Sequence, residues 1–414
     1  MSYLPLLYKP GIREAVIDLP ESKSIANRLM IMRFLQSYPL DAISVNSPED
    51  MLVMNKLLQR VAAHRAEDGV LNLDCGAAGT VARFLTALLS ICNGQFILRG
   101  TERMQQRPMK PLIDALRQLG ALIESETPDD SLPLVITGRK LDGGQVDVEA
   151  TISSQFVSAL MLIAPAMKRG ISIRMKGKLI SEPYVQMTAR LMQDAGIGVD
   201  LNEHFIKISA GLYKSIPVQG FADWSATAPW YELVALNPAL KIYFKNLTTN
   251  GLQGDEKITN LYRCFGVVTV SSDTGLTIFN TGQVGMLPST IDFSDYPDLA
   301  PCYLATLAGL NISQRITGLN TLRIKETDRL KAMCKGITEL GGSFKIVDDD
   351  SVEISRHRGL HHGSVDFYDD HRIAFAFAPL VVLTQPLLID DPLVVGKSYP
   401  GFFYHLQQVG ITLG

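Results

Sequence analysis

The sequence contains few cysteines, and none of them has a spacing typical of a metal site or a redox motif. The five cysteines are Cys75, Cys92, Cys264, Cys302 and Cys334, and no two of them form a CxxC pair. An odd number of scattered cysteines indicates reduced thiols rather than a disulfide framework. We therefore predict a cytoplasmic location.

Long apolar runs and an excess of charge are also missing. Residues 1–20 carry charges and prolines, and the apolar segment Ile373–Leu383 is too short to span a bilayer. The net charge is −3, and only 7% of the residues are aromatic, without interleaved basic residues. These features predict neither a membrane nor a nucleic-acid partner. With 414 residues, the chain is long enough for two or more domains.

Short motifs of several common enzyme classes are absent. GxxxxGK[ST], GxGxxG, HExxH and GxSxG do not occur, which argues against P-loop, dinucleotide-binding, zinc-peptidase and α/β-hydrolase sites. The stretch Asp74–Thr80 is rich in glycine and could approach a phosphate closely. His357, His361 and His362 are interpreted as an exposed loop rather than as metal ligands. None of these motifs therefore indicates a nucleotide or metal site.

A polar or glycine-rich start followed by an apolar helix recurs six times along the chain. The starts are Ser24, Gly79, Ser153, Trp224, Asp298 and Asp370, and all intervals between them except the shorter first one are nearly equal. Helices that are apolar on nearly all sides are typical of a protein centre. They predict a fold whose core is made of helices.

A second pattern alternates with the first. It is an amphipathic helix, a glycine and a short alternating strand, with the glycines at Gly120, Gly196, Gly266, Gly341 and Gly410. The segment Met51–Val61 would be a sixth copy without a clear glycine. The regular period of both patterns predicts six repeated units, three in each of two domains. The alternative is the ordinary alternation of helices and strands in any α/β protein.

The starts of the apolar helices carry polar and charged residues. Free backbone N–H groups and the helix dipole make a helix N-terminus attractive to an anion. If the three helices of each domain are parallel, their starts share one face, and two such faces would form a cleft for an anionic small molecule. For Lys23 and Ser24 taken alone, the alternative is an ordinary capped core helix whose lysine reaches solvent.

The segment Leu322–Met333 is the most highly charged part of the chain. On a helix, Lys325 and Glu326 would lie on one face with Arg329. In a closed cleft, Asp298 and Glu326 are candidates for the base and the acid of a proton transfer. The alternative is a solvated helix face with weak ion pairs.

A set of motifs in a fixed order resembles the 5-enolpyruvylshikimate-3-phosphate synthase family of enolpyruvyl transferases. Over about residues 20–400 these are SKSIANR, CGAAGTVAR, the pair Arg107–Pro108, SSQF, SEPY, YPD, RIKETDR, DHR and GKSYP. SSQF, and KETDR together with DHR, are specific, whereas SKS and the glycine loop alone are weak. The resemblance implies an α/β fold, the two-domain inside-out α/β barrel with three βαβαββ-type repeats around buried parallel helices in each domain. It also implies a discontinuous domain of residues 1–19 and 222–414, an inserted domain of residues 20–221, and an active site in the cleft between them.

The resemblance implies transfer of the enolpyruvyl group of phosphoenolpyruvate to the 5-hydroxyl of 3-phosphoshikimate, with release of phosphate and without a metal or cofactor. This is a step of the shikimate pathway to chorismate and the aromatic amino acids, and it implies a monomer whose partners are these two substrates. Asp298 would accept the hydroxyl proton, and Glu326 with Lys23 would protonate the methylene carbon of phosphoenolpyruvate. The residues implied for 3-phosphoshikimate are Lys23, Ser24, Arg28, Ser153, Ser154, Gln155, Ser181, Asp298 and Lys325. Those implied for phosphoenolpyruvate are Lys23, Gly79, Arg107, Gln155, Arg329, Arg372 and Lys397.

Four residues differ from the usual pattern of that family. Glu21 and Ala77 replace a small residue and an asparagine, Phe84 stands where proline is common, and Thr321 stands where some members have asparagine. These differences concern the affinity for phosphoenolpyruvate more than the reaction itself.

Two alternatives are considered beside this function. One is a UDP-N-acetylglucosamine enolpyruvyl transferase, which carries a reactive cysteine in the loop that matches Gly100–Arg107, where this chain has none. The other is a non-catalytic relative that binds a phosphorylated metabolite. The presence of both Asp298 and Glu326 argues against this non-catalytic relative, because binding alone requires no proton-transfer pair.

Overall fold

The computed structural model describes residues 3–37, 40, 43–202, 204–216 and 220–414 of the chain. The contacts between Cα atoms divide the chain into two compact units. The composite unit contains Met1–Ser22, Asn46–Pro48 and Phe221–Gly414, and the inserted unit contains Lys23–Val45 and Glu49–Gly220. No helix within the described ranges is long and apolar enough to cross a membrane.

Helices and strands alternate along most of the chain. The α-helices are α1 Lys23–Leu35, α2 Glu49–Ala63, α3 Gly79–Leu89, α4 Glu102–Gln105, α5 Lys110–Gln118, α6 Ser154–Ile163, α7 Glu182–Asp194, α8 Ala228–Leu236, α9 Ile258–Leu261, α10 Ala300–Gly309, α11 Arg329–Glu339, α12 His371–Phe377, α13 Val381–Thr384 and α14 Phe402–Gln407. The strands are β1 Leu4–Tyr8, β2 Glu14–Ile17, β3 Val70–Asp74, β4 Gly94–Arg99, β5 Leu122–Ser125, β6 Leu134–Gly138, β7 Gly144–Glu149, β8 Ile171–Lys176, β9 Val199–Leu201, β10 Phe205–Ile208, β11 Lys241–Lys245, β12 Val267–Ser272, β13 Gly275–Asn280, β14 Thr290–Asp292, β15 Gln314–Thr317, β16 Ser343–Ile346, β17 Val352–Ser355, β18 Gly363–Val365, β19 Leu387–Ile389 and β20 Ile411–Leu413.

Five sheets form in the described part of the chain, and all five share one internal order. The inserted unit contains β3-β4-β6-β5 and β7-β8-β10-β9, and the composite unit contains β2-β11-β13-β12, β14-β15-β17-β16 and β18-β19-β1-β20. In each sheet the first two strands are parallel. The remaining neighbours are antiparallel. This shared order is the structural form of five of the six repeats that the spacing predicted.

The first repeat is shorter than the others. Helix α2 ends at Ala63 and β3 begins at Val70, with only a 3₁₀ turn, Ala66–Asp68, between them. In the next repeat, α5 is followed by the antiparallel pair β5 and β6. The missing pair of strands accounts for the short first interval, from Ser24 to Gly79, in the series of apolar helix starts.

Each unit has a core of three helices that contact one another. These are α1, α3 and α6 in the inserted unit and α8, α10 and α12 in the composite unit. Every residue of α6 except Gln155 is buried, and every residue of α12 is buried. The sheets cover these helices and leave alternate residues of strands such as β7 accessible. The predicted α/β fold with buried central helices and outer sheets is confirmed.

The predicted helix-ending glycines have the backbone conformation that this position requires. Gly120, Gly196, Gly266, Gly341 and Gly410 have φ between 82° and 93°, in the left-handed region. A side chain in that region is strained, which is why glycine commonly follows a helix end. These five turns reverse the chain from the amphipathic helices into the following strands.

Candidate active site

In the composite unit, Asp298 lies just before α10 and forms ion pairs with three cations. Its Oδ1 lies 3.0 Å from Nη1 of Arg329 and 3.7 Å from Nζ of Lys325. Its Oδ2 accepts a hydrogen bond of 3.2 Å from Nη2 of Arg372. The side chain of Asp298 is 22% exposed, so the carboxylate is accessible from one side. The structure thus brings together four residues that the sequence assigned to substrate binding or catalysis.

Arg329 joins this group to two further carboxylates. Its Nη2 donates to Oε2 of Glu326 at 2.9 Å and to Oδ1 of Asp370 at 3.2 Å. Its Nε donates to Oδ2 of Asp370 at 2.8 Å. We call the set the charge cluster, and its members are Asp298, Lys325, Glu326, Arg329, Asp370 and Arg372. Its three carboxylates and three cations balance in formal charge.

Asp370 was not among the predicted site residues. It caps α12, because its side chain accepts a hydrogen bond from the backbone N–H of Arg372, and it is fully buried. Its position directly before His371 and Arg372 in the DHR motif was the available signal. Capping fixes the carboxylate, and the carboxylate in turn fixes the guanidinium of Arg329.

The predicted helix through Lys325 and Glu326 is wrong. Residues Asn320–Ile324 form a 3₁₀ helix, Lys325 is extended, and α11 begins only at Arg329. The side chain of Asp328 caps α11 by accepting from the backbone N–H of Lys331. Glu326 and Arg329 meet because the chain turns before the cap, and not because they share a helix face.

The charge cluster perturbs the pKa values of Asp298 and Arg329. Burial by itself would raise the pKa of Asp298, but Arg372, Lys325 and Arg329 outweigh burial and hold that pKa well below its usual range. Burial by itself would lower the pKa of Arg329, and the neighbouring carboxylates, Asp370 first, raise it instead. A carboxylate that is neutralised by three cations is a weak base. An anion that drew those cations away would make Asp298 more basic.

Lys397 is the remaining predicted residue of the composite unit. It ends a 3₁₀ helix, Pro392–Lys397, and is partly buried. It forms no ion pair with the charge cluster in the described part of the chain.

In the inserted unit, Lys23 is the first residue of α1, and its ammonium group is held by a carboxylate. Its Nζ donates to Oδ2 of Asp50 at 2.9 Å. Asp50 lies in the first turn of α2 and is 5% exposed. Asp50 was not predicted as a site residue, since nothing in its local sequence points to Lys23. The pair gives Lys23 a defined position at the start of its helix.

Arg28 lies deeper in the inserted unit than its predicted role suggests. Its guanidinium donates to Thr188 at 2.7 Å, to Ser158 at 3.2 Å, and to the backbone carbonyls of Ser24 at 2.6 Å and Tyr184 at 3.2 Å. Arg28 is only 2% exposed, and burial lowers its pKa to about 10. Its side chain therefore connects α1 with α6 and α7, which is a structural role in addition to the predicted one.

The glycine-rich loop ends at Gly79, the first residue of α3, where the backbone approaches two arginines. A Cβ atom on Gly79 would lie 2.6 Å from Nη1 of Arg83 and 2.8 Å from Cζ of Arg107. Arg107 also donates to the carbonyl of Ala77 at 3.4 Å. Only glycine leaves room for these guanidinium groups beside the start of the helix.

The start of α6 lies beside the start of α3. Ser153 caps α6 by accepting from the backbone N–H of Gln155 at 3.3 Å, and Ser154 is buried. The side chain of Gln155 donates to Oγ1 of Thr80 at 3.2 Å. Ser181 precedes α7 with a left-handed backbone, φ 53°. The structure thus connects Gln155 with the first turn of α3, next to Gly79.

Comparison with known proteins identifies the family. The family model of EPSP synthase (3-phosphoshikimate 1-carboxyvinyltransferase) matches residues 8–406. The chain belongs to this family. It is 37% identical to the 3-phosphoshikimate 1-carboxyvinyltransferase of Bacteroides fragilis (strain YCH46) over 412 residues, covering 99% of this chain and 98% of the relative. It is 30% identical to that of Vibrio cholerae serotype O1 (strain M66-2) over 416 residues, covering 95% and 96%.

A solved structure shares the fold of this family member. The EPSP synthase of Acinetobacter baumannii superposes with a TM-score of 0.77 at 19% identity and covers 99% of both chains. At this identity the likeness concerns the fold alone. It agrees with the α/β architecture described above.

Two departures from the family pattern now have a structural setting. Glu21 pairs with Ala222 in an isolated antiparallel bridge, and burial raises the pKa of Glu21. Phe84 is buried, with the guanidinium of Arg28 5.4 Å from the centre of its ring. Phe84 thus fills a position in the core of this EPSP synthase family member and contacts one of the predicted site residues.

The other two departures also lie close to predicted site residues. Ala77 contributes its backbone carbonyl to Arg107 in the glycine loop. Thr321 is buried in the 3₁₀ helix that precedes Lys325. Ala77 is thus linked to a predicted cation by a hydrogen bond, and Thr321 lies four residues before another one.

Proposed function

We propose that the protein transfers the enolpyruvyl group of phosphoenolpyruvate to the 5-hydroxyl of 3-phosphoshikimate, giving 5-enolpyruvylshikimate 3-phosphate and phosphate. The observation that carries this proposal is the charge cluster around Asp298 in a chain of the EPSP synthase family. Three cations suit the carboxylate and phosphate groups of two anionic substrates. Asp298 and Glu326 supply the two proton-transfer groups that the reaction needs.

The roles follow from the chemistry of each step. Asp298 accepts the proton of the 5-hydroxyl group while the hydroxyl oxygen forms a bond to C2 of phosphoenolpyruvate. Glu326 with Lys23 gives a proton to the methylene carbon of phosphoenolpyruvate. Glu326 with Lys23 then takes a proton back from the resulting methyl group while the bond between C2 and the phosphate oxygen breaks, which restores the double bond. The phosphate leaves with the proton that Asp298 had accepted from the 5-hydroxyl. The positive groups stabilise the negative charge on the leaving phosphate.

Anion binding and base strength are coupled in this proposal. The cations that bind the substrates are those that hold the pKa of Asp298 low in the substrate-free protein. When phosphoenolpyruvate binds to Arg329 and Arg372, its negative charges offset theirs, and Asp298 gains basicity. The base is thereby activated only when the donor is bound.

The substrate contacts retain their predicted assignment. Lys23, Ser24, Arg28, Ser153, Ser154, Gln155, Ser181, Asp298 and Lys325 would bind 3-phosphoshikimate, and Lys23, Gly79, Arg107, Gln155, Arg329, Arg372 and Lys397 would bind phosphoenolpyruvate. We also propose domains of residues 1–19 with 222–414 and of residues 20–221, with substrates bound by residues of both. A monomer and a cytoplasmic location complete the proposal.

The test is phosphate release by the purified protein. With phosphoenolpyruvate and 3-phosphoshikimate, and without added metal, we expect release of one inorganic phosphate per enolpyruvyl group transferred. UDP-N-acetylglucosamine in place of 3-phosphoshikimate should give only the background rate. A folded sample that is inactive with 3-phosphoshikimate, or active with the nucleotide sugar, would contradict the proposal.

Gly79→Ala is expected to raise the KM for phosphoenolpyruvate at least about 10-fold, because the new methyl group would displace the guanidinium of Arg107. The KM for 3-phosphoshikimate should change far less. Gly211→Ala is the matched control, since its Cβ would meet only Cδ1 of Ile197 at 3.4 Å, an ordinary contact. Steady-state kinetics measure both constants, and an unchanged KM for phosphoenolpyruvate in Gly79→Ala would contradict the role of the loop.

A further inference from the structure

The buried carboxylate of Asp255 has no role in the function proposed above. Asp255 lies in a 3₁₀ helix, Gly254–Lys257, in the composite unit and is 4% exposed. Its Oδ2 accepts a hydrogen bond from the hydroxyl of Ser225, which lies 30 residues earlier in the chain. A buried carboxylate costs free energy unless its interactions offset the loss of hydration. Its neighbours therefore indicate what it does.

Ser225 connects Asp255 with the charge cluster. The backbone carbonyl of Ser225 accepts a hydrogen bond of 3.1 Å from Nη1 of Arg372. The other terminal nitrogen of Arg372, Nη2, donates to Oδ2 of Asp298 at 3.2 Å. The hydroxyl and the carbonyl of one serine thus join Asp255 to the guanidinium that contacts the proposed base.

The segment that contains Asp255 holds the segment around Ser225 at further points. Oε1 of Gln253 accepts from the backbone N–H of Trp224 at 3.1 Å, and Nε2 of Gln253 donates to the carbonyl of Ala222 at 2.8 Å. With the bond from Ser225 to Asp255, three hydrogen bonds fix residues 222–225. The carbonyl that orients Arg372 belongs to this fixed segment.

The groups around Asp255 make its charge sensitive to pH near neutrality. Burial is the main cause that raises the pKa of Asp255, to about 6, and the nearby carboxylate of Asp298 raises it further. Ser225 and then Arg372 on α12 oppose this, while Asp223 adds a smaller negative charge. Below this pH Asp255 gains a proton and becomes a weaker acceptor for the hydroxyl of Ser225.

We propose that Asp255 is a positioning residue that holds Arg372, through Ser225, in the orientation that binds phosphoenolpyruvate. This inference rests on the proposed function, because that function gives Arg372 its ligand. Asp255 itself contacts neither substrate in this proposal. Its carboxylate keeps the hydroxyl of Ser225 in one direction and the carbonyl of Ser225 toward Arg372.

The variant Asp255→Asn tests the inference, because asparagine keeps the shape of the side chain and removes its charge. At pH 8 we expect the KM for phosphoenolpyruvate to rise about 10-fold, because displacement of the Arg372 guanidinium weakens the binding of phosphoenolpyruvate. The dissociation constant for 3-phosphoshikimate should change less than about 2-fold, because Arg372 does not bind that substrate in the proposal. The ratio of kcat/KM for phosphoenolpyruvate between wild type and variant should fall from about 10 at pH 8 toward 1 at pH 5. The ionisation of phosphoenolpyruvate affects kcat/KM of both proteins equally, so its effect cancels in the ratio.

Two further variants complete the experiment. Asp348→Asn, which removes an exposed carboxylate paired with Arg315, should match the wild type. Ser225→Ala should raise the KM for phosphoenolpyruvate with little dependence on pH, and it provides the answer if Asp255→Asn does not fold. A ratio that is constant between pH 5 and pH 8, or an unchanged KM in both site variants, would overturn the inference.

Failure of the proposed function would be recognised separately. If the wild type releases no phosphate, the proposed function is contradicted. The positioning role of Asp255 is then tested by measuring the binding of phosphoenolpyruvate. Calorimetry with phosphoenolpyruvate alone should then show about 10-fold weaker binding to Asp255→Asn than to the wild type and to Asp348→Asn. Equal affinities of the three proteins would overturn the inference on this measurement too.

Discussion

Asp298→Asn is expected to lower kcat for phosphate release at least about 100-fold, the usual scale for loss of a general base. Asparagine occupies nearly the same volume but cannot accept the proton of the 5-hydroxyl. It also leaves Lys325, Arg329 and Arg372 without the carboxylate that they share in the wild type. These cations then become more available to anions, so phosphoenolpyruvate should bind at least as tightly as before.

The measurement separates turnover from binding. Quenched-flow or steady-state phosphate release gives kcat, and calorimetry gives the dissociation constant for phosphoenolpyruvate. Asp295→Asn is the matched control, since Asp295 lies three residues earlier in the same segment and takes no part in the charge cluster among the described contacts. A variant at Asp298 that turns over at more than a tenth of the wild-type rate would remove it from the role of base.

Arg329→Met is expected to reduce the free energy of unfolding by about 3–5 kcal/mol and to abolish activity, because removal of one partner of a buried ion pair leaves an uncompensated charge. Arg329 is 2% exposed and pairs with Asp370, Glu326 and Asp298, and Asp370 is fully buried. Urea denaturation at pH 7.5 measures the change.

Arg323→Met is the comparison for that variant. Arg323 lies six residues earlier and pairs with Asp328 and with the almost fully exposed Asp349. Arg323 also donates to the backbone carbonyls of Asp348 and Asp349, and its side chain is 22% exposed. Its removal leaves no fully buried carboxylate without a cation, so this variant should lose less stability than Arg329→Met and keep its activity. If the two variants lose similar amounts of free energy of unfolding, the ion pairs of Arg329 in the charge cluster contribute no more to stability than those of Arg323.

The overall fold could be predicted because it depends on patterns that repeat within the sequence. Apolar helices, glycines with a left-handed backbone and a regular spacing are local features, and each recurs several times. The sequence predicted a helix over Lys325 and Glu326, but α11 begins only after Asp328, whose side chain caps it. The spacing of charged and apolar residues alone does not show where a helix begins. The pairing of Glu326 with Arg329 was nevertheless correct, since a turn also brings side chains three residues apart together.

The site was predicted less completely, because its supporting residues are distant in the sequence. Asp50 meets Lys23 across 27 residues, and Asp370 meets Arg329 across 41. Neither carboxylate has a local pattern that names its partner. For Arg28 the sequence motif predicted a ligand contact, whereas its side chain forms hydrogen bonds with Thr188 and Ser158 inside the inserted unit. The sequence motifs thus named members of the charge cluster but not the carboxylates of Asp50 and Asp370.

The short first repeat shows where this architecture tolerates changes of length. Helices α1 and α2 keep the pair of Lys23 and Asp50 although the strands that follow α5 have no counterpart after α2. The pair of Lys23 and Asp50 therefore forms without the outer strands of its repeat. Residues 64–69 occupy their place as a short connection, and connections of this kind are where chains accept inserted segments. A peptide tag or reporter domain for assays of this protein belongs there rather than near the helix starts.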